Sequence, residues 1–84
     1  MTTASITVRY FAAARDAAGV DVDVIGIDEP VAVGALRALL VERRPTLARV
    51  LRQSRLAVNE RFVADDAVVA AGADVAVIPP VAGG

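Results

Sequence analysis

The chain has 84 residues, of which 56% are apolar and 23% are charged, and its formal net charge is −1. This length allows one domain, and the high apolar content excludes an intrinsically disordered chain. The chain has no apolar run of the ~18 residues that a membrane span needs, and residues 1–5 lack the basic region and apolar run of a secretory signal. We therefore expect an intracellular, cytoplasmic protein.

The residue types that are missing limit the chemistry that the chain can perform. The sequence has no Cys, no His and no Lys, so all nine of its cations are Arg. The absence of Cys excludes a disulfide, a thiolate metal site and a thiol nucleophile. A hydroxyl nucleophile would have no His or Lys on this chain to activate it. The sequence thus predicts that the chain is not an enzyme by itself, and that a partner supplies most of any reaction.

The first twenty residues predict a strand followed by a short helix. Residues 5–10 alternate between apolar and polar side chains, which is typical of a strand with one buried face. Phe11 falls on the other face and is expected to point away from the core; the alternative is that it packs beneath the small helix as a satellite core residue. Residues 12–18 are long enough for one or two helical turns, and Gly19 is placed to end them.

A second strand is predicted over residues 20–27, antiparallel to the first. Its valines, Val20, Val22 and Val24, are expected to face the core. Asp21 and Asp23 then lie on the opposite face as solvated alternates. A break at residues 28–30 separates this strand from the rest of the chain.

The second half of the chain predicts one main helix and the remaining strands. The helix begins at Val33, has Leu36 and Leu40 on its apolar face, and ends near Arg44 because Pro45 cannot lie inside it. The remaining predicted elements are a short helix at residues 47–51, strands at residues 56–58, 62–63 and 75–78, and turns at residues 59–60, 65–66 and 71–74.

This order of elements predicts a single α+β domain over residues 1–84 with the β-grasp fold. A strand pair is followed by a helix that crosses one face of a mixed sheet, and later strands complete the sheet. Alternation in the early strands indicates that only one face of the sheet is covered. The other face is left open to a partner.

The C-terminal tail, residues 79–84, is the strongest local signal. Pro79 and Pro80 stiffen the chain into an extended form and are expected to hold the end clear of the body. Val81 and Ala82 lead to two glycines, which lack a Cβ and so fit a narrow channel; the six residues reach roughly 20 Å. The tail would deliver the α-carboxylate of Gly84, which becomes reactive once it is adenylylated and can then accept sulfide as a thiocarboxylate. A frayed terminus without function is the alternative.

Four segments together resemble the family of small, sulfur-carrier subunits of molybdopterin synthase. They are Ile-Pro-Pro-Val-Ala-Gly-Gly (78–84), Leu-Ala-Val-Asn (56–59), Tyr-Phe-Ala-Ala-Ala-Arg-Asp-Ala-Ala-Gly (10–19) and Val-Gly-Ala-Leu-Arg (33–37). The resemblance implies a ubiquitin-like β-grasp fold and a role in molybdenum cofactor biosynthesis. It also implies a heterotetramer with the large catalytic subunit, in which this chain is the sulfur-donating, non-catalytic partner.

The resemblance assigns the reactive group to the C-terminus. Gly84 would be adenylylated by a ubiquitin-activating-type adenylyltransferase and converted to a thiocarboxylate, with Gly83 as its thin neighbour. The thiocarboxylate would then give sulfur to cyclic pyranopterin monophosphate in the active site of the large subunit. The chain itself would bind no cofactor and no metal, and ATP would be used by the activating partner.

The family docks on its partners through an apolar patch beside the tail. The matching positions are Phe11, Phe62 and Ile78, and the tail residues Pro79, Pro80, Val81 and Ala82 would follow into the partner. Many family members have aromatic residues where this chain has Val77 and Ile78, so a smaller anchor is expected here.

The arginine-rich and aspartate-rich segments suggest other functions. Residues 37–61 hold seven Arg against Glu42 and Glu60, a net charge of +5, but the segment lacks the aromatics that stack on nucleic acid. A solvated helix face is favoured, and steering toward an acidic partner stays open. The Asp residues at 65, 66 and 74 do not match a calcium-binding loop and are predicted to be turn residues. The alternative functions are a related carrier for thiamine or cysteine synthesis and a ubiquitin-like protein modifier.

Overall fold

A five-stranded mixed sheet with helices on one face organises the protein, whose computed structural model describes residues 4–80. The helices are α1 (Ala12–Ala18), α2 (Val33–Arg43) and α3 (Ala48–Gln53), and a 3-10 turn at Pro45–Leu47 precedes α3. The strands are β1 (Ser5–Tyr10), β2 (Val22–Gly26), β3 (Val31–Ala32), β4 (Arg55–Val58), β5 (Arg61–Val63), β6 (Val68–Val69) and β7 (Asp74–Ile78). Within these residues, no helix is long and apolar enough to cross a membrane. The predictions for Val81, Ala82, Gly83 and Gly84 lie outside the described residues.

The strand order is β2-β1-β7-β4-β5, which places the first and last strands side by side at the centre of the sheet. β1 is parallel to β7, and the other neighbouring pairs are antiparallel. The backbone N–H of Phe11 donates to the carbonyl of Val77 at 3.3 Å. This arrangement confirms the predicted mixed sheet and brings the start of α1 beside the end of β7.

The main helix packs its apolar stripe on one face of the sheet. Val33, Leu36 and Leu40 are fully buried, and burial of each such side chain contributes about 1.5–3 kcal/mol. The helix ends at Arg43, and Pro45 is the first residue of the 3-10 turn. An N–H at this position has no hydrogen-bond partner within the turn, so proline loses nothing by lacking one. The rest of the core comes from β1, β4, β7 and the short helices: Ile6, Val8, Tyr10, Leu47, Leu51, Leu56, Val75 and Val77 are all buried.

The second strand was predicted with the wrong face inward. Asp23 is only 6% exposed, whereas Val24 is 60% exposed. Val24 lies opposite Thr7 on the open face, and Ile25 lies opposite Ile6 on the core face. The face that carries Ile25 and Ile27 is the buried one, and Asp23 shares it because a strand alternates with a period of two.

A second, two-stranded sheet was not predicted. β3 and β6 pair antiparallel, with Val31 opposite Val69 and Ala32 opposite Val68. The backbone N–H groups of Val33 and Gly34 donate to carbonyls of the segment before β6, at 2.8 and 2.9 Å. These bonds satisfy N–H groups in the first turn of α2, which otherwise lack partners within the helix.

The predicted turn between β4 and β5 is a tight hairpin with an unfavourable residue in it. Asn59 and Glu60 have φ values of 50° and 72°, the left-handed backbone that a two-residue hairpin requires at both positions. The Asn59 side chain accepts a hydrogen bond from the backbone N–H of Asp74 at 3.0 Å, so the turn is tied to the start of β7. Glu60 has a Cβ that disfavours this conformation.

Replacing Glu60 by glycine is therefore expected to raise the free energy of unfolding by about 0.5–1 kcal/mol, because relief of the left-handed strain outweighs the extra freedom of the unfolded chain. Urea unfolding of the two proteins measures the difference. Glu60→Ala is the matched control, since it removes the same charge but keeps the Cβ. Equal stability of all three proteins would contradict the strained turn.

Candidate interface at the end of the last strand

An exposed apolar patch lies on the open face of the sheet, beside the end of β7. We call Phe11, Phe62 and Ile78, with the smaller Ala57 and Ala76, the open-face patch. Phe11 is 47% exposed and Phe62 is 52% exposed, and Ile78 is partly buried. All five residues line one shallow cavity of about 350 Å³. The structure thus brings together the three residues predicted from the sequence.

Strand register places each member of the patch. Ala57 lies opposite both Ala76 of β7 and Phe62 of β5, so these three residues form one row across the sheet. The two alanines leave a hollow, because their side chains end at Cβ. Phe11 follows β1 and flanks the hollow from the other side. Phe11 is exposed and is not a core residue, so the alternative of a satellite core position is wrong.

Two charged contacts border the patch. The Nε–H of Arg9 donates to both carboxylate oxygens of Asp74, at 3.1 and 3.2 Å, and both side chains are about half exposed. An exposed pair of this kind adds little stability, so a partner could displace it at small cost. The Arg55 guanidinium lies 3.8 Å from the centroid of the Phe62 ring, a cation–π contact that steadies the exposed ring.

The two prolines at the root of the tail have different surroundings. Pro79 is buried and Pro80 is exposed. The prediction that both hold the chain end clear of the body concerns residues 81–84, which lie outside the described residues, and it stays a prediction. A proline has no N–H group, so its burial leaves no unpaired donor. Pro79 therefore anchors the chain to the domain directly after β7.

A buried polar cluster lies beneath the strand that leads to Phe11, and sequence reasoning missed it. Asp23 accepts hydrogen bonds from Arg44, whose Nε–H and Nη2–H each lie 2.7 Å from a different carboxylate oxygen. The Tyr10 hydroxyl donates to Asp23 at 2.7 Å. A third nitrogen of Arg44 donates to the carbonyl of Ala18 at 3.2 Å. The cluster joins β1, β2, α1 and the end of α2, and so fixes the strand end from which Phe11 projects.

The charges of the cluster shift the pKa values of its members. Hydrogen bonds from Arg44 lower the pKa of the Asp23 carboxyl from 3.8 to about 2, against the opposing effect of burial. The same bonds raise the pKa of the Arg44 guanidinium. Burial, reinforced by the bond to Asp23, raises the pKa of the Tyr10 hydroxyl. Asp23 and Arg44 are therefore charged at neutral pH, and Tyr10 keeps the proton that it donates.

The lowered pKa of Asp23 predicts a loss of stability in acid. The pKa of the Asp23 carboxyl is lower in the folded state than in the unfolded state, so ionised Asp23 adds about 2 kcal/mol to the free energy of unfolding. This stabilisation is complete above about pH 4 and is lost as the pH falls through about 2. Urea unfolding of the natural protein and of Asp23→Asn between pH 2 and pH 7 measures it. We expect the natural protein to have a higher free energy of unfolding than Asp23→Asn at pH 7, and we expect this difference to become smaller below pH 4. A difference in free energy of unfolding that stays constant across this pH range would contradict the lowered pKa of Asp23.

The arginine-rich segment divides into fixed and exposed residues. Arg37 donates to Asp65 at 2.9 Å and to the carbonyls of Leu51 and Ser54 at 2.6 and 2.9 Å, so it holds α2 against the end of α3. Arg49 and Arg52 are exposed on α3, as expected for a solvated helix face. Asp65 and Asp66 lie in a turn, as predicted, whereas the prediction is wrong for Asp74, which begins β7 and pairs with Thr7 of β1. Among the described residues, no group of metal-ligating side chains could hold an ion.

The strand order, the crossing helix and the open face define a ubiquitin-like β-grasp domain. The model of the ThiS family matches residues 8–84, and the chain belongs to that family. A protein of Chlamydomonas reinhardtii named molybdopterin synthase sulfur carrier subunit is 32% identical over 81 residues, which cover 94% of this chain and 98% of that protein. The recognised family resemblance is confirmed.

Solved structures of similar proteins agree with this fold. A Pyrococcus furiosus protein assigned as molybdopterin converting factor, subunit 1, is 30% identical, with a TM-score of 0.83 over 94% of this chain and 100% of that one. The protein SAMP1 from Haloferax volcanii is 28% identical, with a TM-score of 0.84 over 95% of this chain and 99% of that one. The roles of the open-face patch and of the terminal glycines stay predictions.

Proposed function

We propose that this chain is the sulfur-carrier subunit of a molybdopterin synthase. The observation that carries the proposal is the 32% identity to a molybdopterin synthase sulfur carrier subunit along 94% of the chain. The match to the ThiS family also extends to Gly84, the residue whose carboxylate would hold the sulfur. The composition supports the same role, because the chain has no Cys, His or Lys with which to carry out the chemistry itself.

The proposed reaction uses the backbone terminus as the reagent. An adenylyltransferase of the ubiquitin-activating type joins AMP from ATP to the Gly84 carboxylate and releases pyrophosphate. A sulfide donor then displaces AMP, which leaves a thiocarboxylate. In the large subunit the thiocarboxylate sulfur attacks a carbon of cyclic pyranopterin monophosphate and displaces an oxygen leaving group. Water then cleaves the bond between the Gly84 carbonyl carbon and sulfur, which leaves the sulfur on the pterin and restores the carboxylate. Two such transfers supply the two dithiolene sulfurs. This chain acts in the cytoplasm as a substrate-like subunit, without a cofactor of its own.

The open-face patch is the proposed docking surface for the large subunit. Phe11 and Phe62 are large, exposed and apolar, and they lie on either side of the hollow above Ala57 and Ala76. Exposed aromatics around a pocket are typical anchors of a protein interface. Five residues, the number from Pro80 to Gly84, span at most roughly 17 Å when a chain is fully extended. A large subunit bound at the patch can therefore receive the terminus in an active site at that distance.

Replacing Phe11 by arginine is expected to weaken binding to the large subunit by more than about 1 kcal/mol, or more than about fivefold in Kd, because an apolar anchor is lost and a charge enters the interface. Isothermal titration calorimetry with the purified large subunit measures this. Val68→Arg is the matched control: Val68 is 65% exposed but belongs to the small β3–β6 sheet. Equal Kd values for the two variants would remove Phe11 from the interface.

A protein modifier is the second candidate, favoured by the likeness to SAMP1, the small archaeal modifier protein 1 of Haloferax volcanii. A modifier would be joined through Gly84 to amines of other proteins. A related carrier for thiamine or cysteine synthesis is the third candidate and fits the ThiS family match. All three candidate functions use an activated C-terminus at Gly84. They differ in the molecule that receives the sulfur or the chain itself.

The acceptor distinguishes these functions. Thiocarboxylated chain is incubated with the large subunit and cyclic pyranopterin monophosphate, and the pterin product is analysed by mass spectrometry. We expect sulfur to enter the pterin and the chain to return to its carboxylate form. Covalent adducts with other proteins and an unchanged pterin would favour the modifier. Sulfur transfer only to a thiamine or cysteine precursor would assign the chain to that pathway.

A further inference from the structure

The outer edge of β2 presents unpaired backbone groups. β2 is an end strand of the five-stranded sheet, and in the part of the chain that the structure describes no strand pairs with its outer side. Bonds from the Tyr10 N–H to the Asp21 carbonyl at 2.9 Å and from the Ile27 N–H to the Ala4 carbonyl at 3.0 Å fix the register with β1. In an antiparallel pair, alternate residues then point their backbone groups outward. These residues are Val22, Val24 and Gly26.

The side chains along this edge leave it open to another strand. Val24 is 60% exposed and Val22 is 42% exposed. Natural proteins usually protect an edge strand with proline, inward-pointing charge or lysine. Residues 22–26 contain no Pro and no Lys. Their one charge, Asp23, does point inward, but its carboxylate is already paired with Arg44, so it leaves no unpaired charge beside an incoming strand. An incoming strand therefore finds both hydrogen-bonding groups and apolar side chains.

Charge at the two ends of the edge indicates which kind of strand fits. Asp21 lies before β2, and Asp28 and Glu29 lie after it, all exposed. Arg15 approaches Asp21 at 3.8 Å, an exposed contact that offsets part of this charge. Two copies paired antiparallel about Val24 would place Asp21 of each opposite Ile27 of the other and one residue from its Asp28, which brings the acidic ends of the two edges together. Such like-charge contacts disfavour self-pairing, whereas basic residues in the same places would be attracted.

We propose that the outer edge of β2 is a docking site for an extended segment of a partner protein, which adds to the sheet as an antiparallel strand. Its apolar side chains contact Val22 and Val24, and basic residues at its ends face Asp21, Asp28 and Glu29. Main-chain hydrogen bonds supply affinity in this mode, and alternate side chains supply specificity. β2 lies two strands from β7, about 10 Å at the usual strand spacing, and Asp21 and Val22 line a cavity together with Phe11 of the open-face patch. The site therefore borders the open-face patch.

The test is a titration of the full ¹⁵N-labelled chain with the peptide Lys-Val-Thr-Val-Thr-Val-Lys, followed by NMR. We expect the amide signals of Val22, Val24 and Gly26 to move most. Val24→Lys should weaken binding at least about tenfold by repelling the basic peptide and removing the apolar contact, whereas Val68→Lys, equally exposed on the small sheet, should not. Added salt should also weaken binding, since the flanking charges are exposed.

A second peptide with proline at its central position tests the strand geometry without any change in the protein. Proline removes an N–H that the ladder needs, so this peptide should bind at least about tenfold more weakly. Absent binding, equal binding of both peptides, or shifts centred on β5 would overturn the proposal. So would a dimer of the chain alone, seen by sedimentation and abolished by Val24→Lys, because the occupant would then be a second copy.

Discussion

Deletion of Gly84 is expected to abolish sulfur transfer to cyclic pyranopterin monophosphate while leaving the fold intact. The deletion shortens the tail by about 3.5 Å, and reacting atoms must come within roughly 3–3.5 Å of each other. With docking fixed at the open-face patch, the carboxylate of Gly83 would stop one residue short of the reaction. Misplacement by even about 1 Å can lower a rate about 100-fold, so we expect a loss of at least that size.

The controls for this deletion separate chemistry from folding. The buried core of the described residues lies between Ile6 and Val77, so the Tm should not change. Binding to the large subunit should also be kept, because Phe11, Phe62 and Ile78 are untouched. Gly84→Ala is a second variant that keeps the length and adds a Cβ; it measures how narrow the channel is. Undiminished transfer by the deletion variant would refute the proposed role of the terminus.

Replacement of Arg44 by alanine is expected to lower the free energy of unfolding by about 3–5 kcal/mol, because it leaves the buried Asp23 carboxylate without its bidentate partner. A domain of this length has a total stability of only about 4–13 kcal/mol. Each kcal/mol corresponds to about 4–8 °C in Tm for such a domain, so thermal unfolding followed by circular dichroism should show a drop of more than about 12 °C.

Matched variants test the origin of that loss. Arg49→Ala removes an equally charged but exposed side chain and should change stability by less than about 0.5 kcal/mol. The triple variant Tyr10→Phe, Asp23→Leu, Arg44→Met replaces the whole cluster with apolar groups, which is often neutral for a buried ion pair, and should recover most of the stability. If Arg44→Ala and Arg49→Ala unfolded alike, the cluster would have no structural role.

The elements that follow one hydrophobic pattern were predictable from the sequence. β1 has large apolar residues on one face only, and α2 has a buried stripe of Val33, Leu36 and Leu40. Both elements were predicted within a residue or two of the observed ends. The segment at residues 20–27 has two competing patterns, one through its valines and one through Ile25 and Ile27. Asp23 can join the isoleucines because Arg44 bonds to it from 21 positions away. A pattern within the strand cannot reveal such a distant partner.

The candidate interface also depends on contacts between residues that are distant in the sequence, which a pattern within one strand does not reveal. The outward faces of Phe11 and Ile78 followed from strand alternation, and their role as anchors followed from the family resemblance. The hollow between them depends on Ala57 and Ala76 being paired across two strands, a register that is set by the whole sheet. The exposed Val22 and Val24 were missed with the reversed face of β2. The two-residue strands β3 and β6 are too short to show any period.

The proposed function requires that the C-terminal carboxylate carry the sulfur, and mass spectrometry of the C-terminal peptide tests this most directly. The chain is produced together with its activating enzyme and sulfide donor, and is then cleaved with trypsin, whose last site follows Arg61. We predict that the peptide of residues 62–84 is heavier by about 16 Da, from exchange of one oxygen for sulfur, and that fragmentation places the change at Gly84. An unchanged mass, or a change located elsewhere in the chain, would contradict the account.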